Sequence, residues 1–330
     1  MFPLADHGGF IEPLLILVAA LIIDALLGDP AWLWKRLPHP VAFLGKLIDF
    51  LDRKLNRPGR PAYDRRVRGA LVAAGLTIGA VALGWAVSEL RRASDLGVLL
   101  ELALTWALIA QRSLYDHVRR VAVALDKGGL VAGRREVSMI VGRDPDSLDE
   151  AGVARAAVES CAENFSDAVV APVFWFILFG LPGLMAYKTV NTLDSMIGHR
   201  SEKYLEFGMV SARLDDAMNL IPARLSGLLI CLASVFVPGG NPVRGWRVMR
   251  RDHGHHRSPN SGWPESAMAG ALGLALGGPR RYPGYVAQER WLGEGGREVA
   301  RAADIHAALF VMAVACLLNG GLVILAILLG

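Results

Sequence analysis

From Ile305 to Leu329 the chain carries no Asp, Glu, Lys or Arg. A helix of about 20 mostly apolar residues matches the ~30 Å hydrocarbon core of a bilayer, and few soluble folds can bury one. Runs of the same kind occur at Pro13–Leu27, Gly69–Leu90 and, with its flanks, Leu96–Ile109. With 53% hydrophobic and 20% charged residues in a chain of 330 and a mean hydropathy of +0.37, the apolar residues are too many and too clustered for an ordinary soluble domain. The expected fold is therefore all-α: one membrane-embedded domain over residues 1–330, a polytopic integral membrane protein of roughly four to six transmembrane or re-entrant helices with large helical cytoplasmic loops.

Firm spans are expected at about 13–28, 69–90, 96–112 and 305–329. Two further segments are ambiguous: 168–187, interrupted by Pro172, Pro182 and two glycines, and 220–237, which carries Pro222 and Arg224 at its start. The first run is preceded by Asp6, His7 and Glu12 rather than by Lys or Arg, so it reads as a retained span and not as a signal peptide. Ten Lys and Arg fall between residues 28 and 68, and the segments 112–167 and 239–304 are similarly basic. By the positive-inside rule the loops 29–68, 113–167 and 239–304 face the cytoplasm, in the inner (cytoplasmic) membrane. The favoured arrangement has neither ambiguous helix crossing, which keeps residues 188–218 on the same side as those loops. The net charge of +4 is spread over the loops and forms no single patch, so nucleic acid is not an expected partner. Membrane lipid is.

Local punctuation follows known helix chemistry. Gly28-Asp29-Pro30 ends the first helix, Pro38-His39-Pro40 is a stiff turn, and Trp32 and Trp34 suit an interfacial aromatic belt. Val41–Leu55 is amphipathic and suits the membrane surface, and 57–68 is a linker rich in Pro, Gly and Arg. The three cysteines, Cys161, Cys231 and Cys316, have no paired spacing and read as small buried hydrophobes.

Against this apolar background the stretch from Gly142 to Pro222 is dense in acids and amides. Asp144 or Ser147 can cap a helix in which Arg155, Glu159, Glu163 and Asp167 recur at steps of four on one face. Three stacked carboxylates repel one another unless a cation answers them. Arg155 offsets one, a divalent ion could offset the rest, and the amide of Asn164 adds a neutral oxygen. Lys188, Asn191, Asp194 and Ser195 repeat the pattern, as do Arg213, Asp215, Asp216 and Asn219. Together they suggest an Mg²⁺–phosphate site, with carboxylates on the metal and Lys and Arg on phosphate oxygens. A fourth block, His253 to Glu265, holds three histidines in four residues, but adjacent His255 and His256 suit one tetrahedral zinc poorly. A loop contacting an anionic substrate through His, Arg257, Ser258 and Asn260 fits better. An Ala/Gly-rich helix after Glu265, Ser266–Leu276, is suited to close packing. There is no Walker loop, no dinucleotide fingerprint and no Gly-x-Ser-x-Gly elbow.

The blocks D-A-L-L-G-D-P (Asp24–Pro30), P-H-P-V (Pro38–Val41), G-R-D (142–144), R-A-A-V-E-S-C-A-E-N-F-S-D (Arg155–Asp167), Y-K-T-V-N-T-L-D-S-M-I-G (Tyr187–Gly198), R-L-D-D-A-M-N-L-I-P-A-R (Arg213–Arg224) and S-P-N-S-G-W-P-E-S-A-M-A-G-A-L (Ser258–Leu272) resemble the adenosylcobinamide-phosphate synthase family. These are the CbiB/CobD-type membrane proteins of cobalamin biosynthesis. The resemblance implies an ATP-dependent ligase forming an amide bond between adenosylcobyric acid and (R)-1-amino-2-propanol or its O-phosphate. It implies ATP and Mg²⁺ as cofactors and other membrane-bound enzymes of the pathway as partners. Carried onto this chain, Mg²⁺ would be held among Glu159, Glu163, Asp167, Asp194, Asp215 and Asp216. Lys188, Asn191, Arg213, Arg224 and Asn260 would bind the nucleotide or phosphate, and Glu163, Asp167, His255 and Glu265 would serve catalysis, His255 or Glu265 taking the ammonium proton. Two other classes compete: an Mg²⁺-dependent membrane phospho- or prenyltransferase, which would concentrate its acids in two similar motifs, and a non-enzymatic membrane signalling or accessory protein related to the family.

Overall fold

The computed structural model describes residues 7–142, 144–282, 285–287 and 290–329; Asp6 and Arg143, which figure in the motifs above, lie outside them. Helix α1 (His7–Leu27) stops at Gly28, whose φ of 58° only glycine adopts freely and whose N–H meets Asp24 O at 2.8 Å. A single turn, α2 (Ala31–Trp34), follows Pro30. Helix α3 (Pro40–Leu55) begins on Pro40 with His39 Nδ1 accepting the Val41 N–H at 3.2 Å, so the Pro-His-Pro turn is a helix start. Ser94 ends α4 (Ala62–Ala93) and caps α5 (Asp95–Ala107) through the Gly97 N–H. Then come α6 (Gln111–Val137), α7 (Glu150–Phe165), a wide π-type turn at Ser166–Val170, α8 (Ala171–Ile197), α9 (Met209–Met218), α10 (Leu220–Ala233), α11 (Pro242–Asp252), α12 (Gly262–Leu272) and, last, α13 (Ala302–Leu329). Between α12 and α13 two antiparallel ribbons, β1 (Leu276–Gly277) with β4 (Trp291–Leu292) and β2 (Arg280–Tyr282) with β3 (Tyr285–Ala287), are a small exception to the expected all-α chain.

Among the described residues four helical stretches are long and apolar enough to cross a bilayer: 62–93, 95–137, 150–197 and 302–329. A fifth arises if Met209–Met218 and Leu220–Phe236 form one bent span. The first, second and fourth contain the spans expected at 69–90, 96–112 and 305–329. The ambiguous segment 168–187 lies in the third, and 220–237 coincides with the second half of the bent pair.

Contacts group the chain into two compact units, residues 1–110 with 171–219 and 322–330, and residues 111–170 with 220–321. In the first unit, Leu14, Leu17 and Leu21 of α1, Val87 of α4, Phe176, Leu181 and Leu184 of α8 and Val323 of α13 form one core. Helix–helix association in lipid depends on close packing more than on water exclusion. Gly84 provides it, since a Cβ there would stand 2.8 Å from Pro182 Cα. Helix α8 breaks at Gly180 (φ 64°, ψ −154°), a left-handed backbone that leaves two helical halves. Arg91 and Glu101, 4% and 1% exposed, meet at 3.0 Å across the α4–α5 hairpin, with Glu12 joining Arg91 at 2.5 Å. Buried charge between apolar helices requires such pairing.

In the second unit α7 is almost wholly buried, with Val153, Ala154, Ala157, Cys161 and Phe165 in a core shared with α6, α10, α12 and α13. Its N-cap is Asp149, which accepts the Gly152 N–H at 2.7 Å, while Asp144 caps only the short turn 145–147; the cap is thus neither Asp144 nor Ser147. Helix α12 packs on α11 as its small residues suggest: a Cβ on Gly270 would come within 2.7 Å of Arg244 O. It ends at Leu272 rather than at Leu276, because Gly273 turns left-handed (φ 68°). Cys161 and Cys231 are buried free thiols.

Candidate functional site

In the first unit, the second half of α8 and all of α9 bring two acid–amide motifs together. Spacing of three and four places Tyr187, Asn191 and Asp194 on one side of α8, and α9 presents Asp215 and, at its end, Asn219 to them. Asn191 Nδ2 donates to Asp215 Oδ1 at 3.3 Å, and Asn219 Nδ2 donates to Asp215 Oδ2 at 3.0 Å. The buried Tyr187 hydroxyl donates to Asn219 Oδ1 at 3.0 Å, which fixes the amide's orientation. The Asp215 carboxylate is therefore held rigid by two neutral donors, while the negative charges of Asp194 and Asp216 act on it. Asp194 folds over Gly198, where a Cβ would lie 1.9 Å from its Oδ1. An acid fixed beside other acids and steadied by amides is electrostatically incomplete.

Asp216, the next residue, faces a cleft of about 400 Å³ whose charged lining is Arg66, His199, Arg200, Glu206, Arg213 and Asp216. Arg66 is held by Glu206 at 2.7 and 2.9 Å. Arg200 and Arg213 leave the cleft cationic. One wall is the loop between α8 and α9, and it is fastened from outside the motifs. Asp52 on α3, 3% exposed, takes Lys203 Nζ at 2.6 Å, the Tyr204 hydroxyl at 3.2 Å and Asn56 Nδ2 at 2.8 Å. Arg65 reaches Asn56 Oδ1 at 2.9 Å and also the Lys203 carbonyl. The hydrogen bonds from Lys203 to Asp52 and to Tyr204 hold the ammonium's proton more firmly than in an ordinary lysine. Gly69 of α4 allows the loop to close, since a Cβ there would sit 1.8 Å from Phe207 O.

The second unit holds the remaining candidates. Glu159, 4% exposed, accepts the Gly277 N–H at 2.7 Å and so ties α7 to β1. Glu163 Oε1 accepts the Ser261 hydroxyl at 2.9 Å. Asp167 lies in the wide turn, which takes it out of the four-residue register expected from Glu159 and Glu163. Arg155 does not offset these acids: its guanidinium sits 5.0 Å over the Trp291 ring and donates to Glu298 O at 3.3 Å. Asn164 turns its amide nitrogen back onto Ser160 O at 3.0 Å.

The three histidines diverge. His253 stacks on Trp263 at 3.9 Å, with Arg224 4.5 Å over the same ring. Burial, then the charges of Arg224 and His255, push the His253 imidazolium below its usual range. His255 Nδ1 meets Trp291 O at 3.2 Å, and His256 Nε2 faces the buried Glu265 carboxylate at 3.6 Å. The histidine beside Glu265 is thus His256, while the candidate His255 is turned to the Trp291 carbonyl. Asn260, 5% exposed, is fixed through its N–H to Ser258 Oγ at 3.2 Å.

Of the residues predicted from sequence, the structure therefore assembles Asn191, Asp194, Asp215 and Asp216 with Arg213 in one unit, where Lys188 lies on the same half of α8. It places Glu159, Glu163, Asp167, Arg224, His255, Asn260 and Glu265 in the other. Among the described residues no three His, Cys, Asp or Glu converge as a ready-made metal cage. Sequence reasoning missed Tyr187, Arg66, His199, Arg200 and His256. The His-x-x-x-x-x-x-x-x-Glu spacing of the last offered a weak signal, and the cleft residues offered none without the loop's fold.

A family model described as "CobD/Cbib protein" matches residues 17–312. The chain is 54% identical over 307 residues to a cobalamin biosynthesis protein CobD from Rhizobium meliloti (strain 1021), covering 92% of this chain and 94% of that protein. It is 48% identical over 319 residues to one of the same name from Brucella anthropi (96% and 98%). A third, from Rhodobacter capsulatus, is 52% identical over 277 residues (84% and 86%). No solved structure matches the chain.

Proposed function

This chain belongs to the CobD/Cbib family, and on that premise we propose that it is a membrane-bound cobalamin-biosynthesis enzyme that joins a propionate carboxylate of adenosylcobyric acid to the amine of (R)-1-amino-2-propanol or its O-phosphate, at the expense of ATP. A carboxylate is a poor acyl donor and an ammonium is no nucleophile. ATP supplies the activating phosphoryl group, and Mg²⁺ neutralises its charge.

The observation that carries this reading is Asp215, pinned by Asn191 and Asn219 and acted on by the charge of Asp194, next to an arginine-lined cleft. Its donors are all oxygens, which suits a hard cation. Mg²⁺ is ordinarily held by only one or two carboxylates, with water and substrate phosphate filling the rest of its shell, so a three-acid cage is not required. Asp194 and Asp215 would hold the ion, with Asp216 at the cleft's edge, and Arg200 and Arg213 would grip phosphate oxygens. Tyr187 and Asn219 keep the Asp215 carboxylate in place, so no reorganisation is needed when charge develops. In the second unit, His256 Nε2 and the Glu265 carboxylate face each other at 3.6 Å, a pair able to exchange a proton.

The test uses the purified full-length protein in nanodiscs with adenosylcobyric acid, MgATP and either aminopropanol or its O-phosphate. The expected result is a cobinamide product by mass spectrometry, with ADP and phosphate released only when corrin acid and amine are both present. Absence of product with both amines, under conditions where the protein stays folded, would overturn the reading.

A further inference from the structure

We propose that the outward face of α11 lies on the surface of a bilayer and binds anionic phospholipid headgroups. The sequence of α11 divides cleanly between two faces. Gly245, Val248, Met249 and Asp252 are buried, the helix packing on α12 and α10. Val243, Trp246, Arg247 and Arg250, at helical spacing, point outward; Val243 is 63% and Trp246 43% exposed.

The four arginines of this helix are not equivalent. Arg244 is used internally, donating to Gly270 O at 2.6 Å and Ala271 O at 3.3 Å, and Arg251 is paired with Asp252 at 2.5 Å. Arg247 and Arg250 have no acidic partner among the described residues; Arg250 lies 5.7 Å over the Trp246 ring. A tryptophan flanked by two uncompensated guanidiniums on one stripe is the composition of a helix lying in the headgroup region. The ring sits at the apolar boundary and each cation strengthens binding to an anionic surface.

The chain leading to α11 supplies the second observation. Leu228 and Leu232 form an exposed stripe along α10, and Val235 and Phe236 in the turn that follows continue it at 60% and 62% exposure. Such a continuous apolar surface is costly in water and ordinary in hydrocarbon. Gly239 (φ 77°) and Gly240 turn the chain immediately after it, and Asn241 caps α11 through the Arg244 N–H at 2.8 Å. The apolar stripe thus ends where the Trp and Arg stripe begins, the sequence expected at the edge of a bilayer. Charge complementarity selects an acidic lipid surface over a neutral one.

The experiment places a bimane label on Val243→Cys in a Cys316→Ser background, Cys161 and Cys231 being buried. The full-length protein goes into nanodiscs of phosphatidylcholine alone or mixed with phosphatidylglycerol. Quenching by headgroup spin-labelled lipid is expected to be at least about twofold stronger in the anionic discs. Changing Arg247 and Arg250 to Gln should bring it down to the neutral level. Equal quenching by aqueous iodide in both discs would overturn the proposal. So would lipid-independent protection from iodide that rises with the number of protein copies per disc, which would assign the face to a second copy. The comparison of discs on the unsubstituted arginines decides the matter even if the double variant misfolds.

Discussion

Asp252 on α11 and Asp215 on α9 are both aspartates with little exposed surface, 0% and 8%, and they are satisfied in opposite ways. Asp252 takes both arms of Arg251, at 2.5 and 2.7 Å, and the Gly293 N–H at 2.7 Å. Burial alone would raise its pKa, but the hydrogen bonds from Arg251 and Gly293 outweigh that and hold the carboxyl below its ordinary value. Asp215 takes two neutral amides, and its charged neighbours are acids. The first carboxylate is complete within the fold and works as a latch between α11 and the segment after β4. The second is geometrically fixed by neutral donors, with acids as its charged neighbours. Burial and hydrogen bonding alone do not distinguish the two acids; the sign of their charged neighbours does.

The contrast is most sharply tested by exchanging function for stability. Asp215→Asn is expected to lower kcat in the ligation assay on the order of 10²-fold or more, while Tm changes little, because relief of the crowded negative charge offsets the one amide hydrogen bond that an Asn δ-nitrogen cannot accept. Asp252→Ala should do the reverse, lowering stability by roughly 1–3 kcal/mol as the Gly293 N–H loses its acceptor, with kcat preserved in the folded fraction. Activity surviving Asp215→Asn, or a Tm loss matching that of Asp252→Ala, would break the distinction.

A smaller effect is expected from Asp52→Asn. The substitution weakens the hold on Lys203 and Tyr204 and so the cleft wall; KM for MgATP should rise several-fold, about 1 kcal/mol in binding, with kcat little changed. A drop in kcat alone would mean that the loop does more than shape the cleft. The smallest effect concerns pH. His253 has a folded pKa below its ordinary 6.5, so the fold favours the neutral ring. Stability is full above about pH 6.5 and declines as pH falls below it, because the unfolded chain takes up the proton first. The loss from Asp252, also depressed, begins only below its ordinary 3.8. The unfolding free energy measured between pH 7.5 and 5.5 should therefore fall modestly, by less than about 1 kcal/mol, and His253→Gln should flatten that slope.

Much of this was legible in the sequence. The long apolar runs announce α4, α5 and α13, and the Asn191, Asp194, Asp215 and Asn219 spacings announce faces that do meet. What was not legible has physical causes. The wide turn at 166–170 shifts Asp167 out of register, and no periodicity reveals an added residue per turn. Arg155 leaves its acidic neighbours for Trp291, an aromatic 136 positions away. The break in α8 falls at Gly180, one of two nearby glycines with a proline between them, and only φ distinguishes it. The cleft depends on Asp52 and Gly69 receiving a loop more than 130 residues further on.

The tie between Glu159 and Gly277 also bears on how the chain is made. Its two ends are 118 residues apart, and at ~5–20 residues per second a ribosome takes about 6–24 s to span them. In that interval residues 171–219, which belong to the first unit, emerge and can begin to pack. The second unit is thus split in time as well as in sequence: α7, most of whose residues are buried, is synthesised early and waits, with an acid whose backbone partner has yet to be translated. A pause in translation between residues 220 and 277 would prolong that exposure.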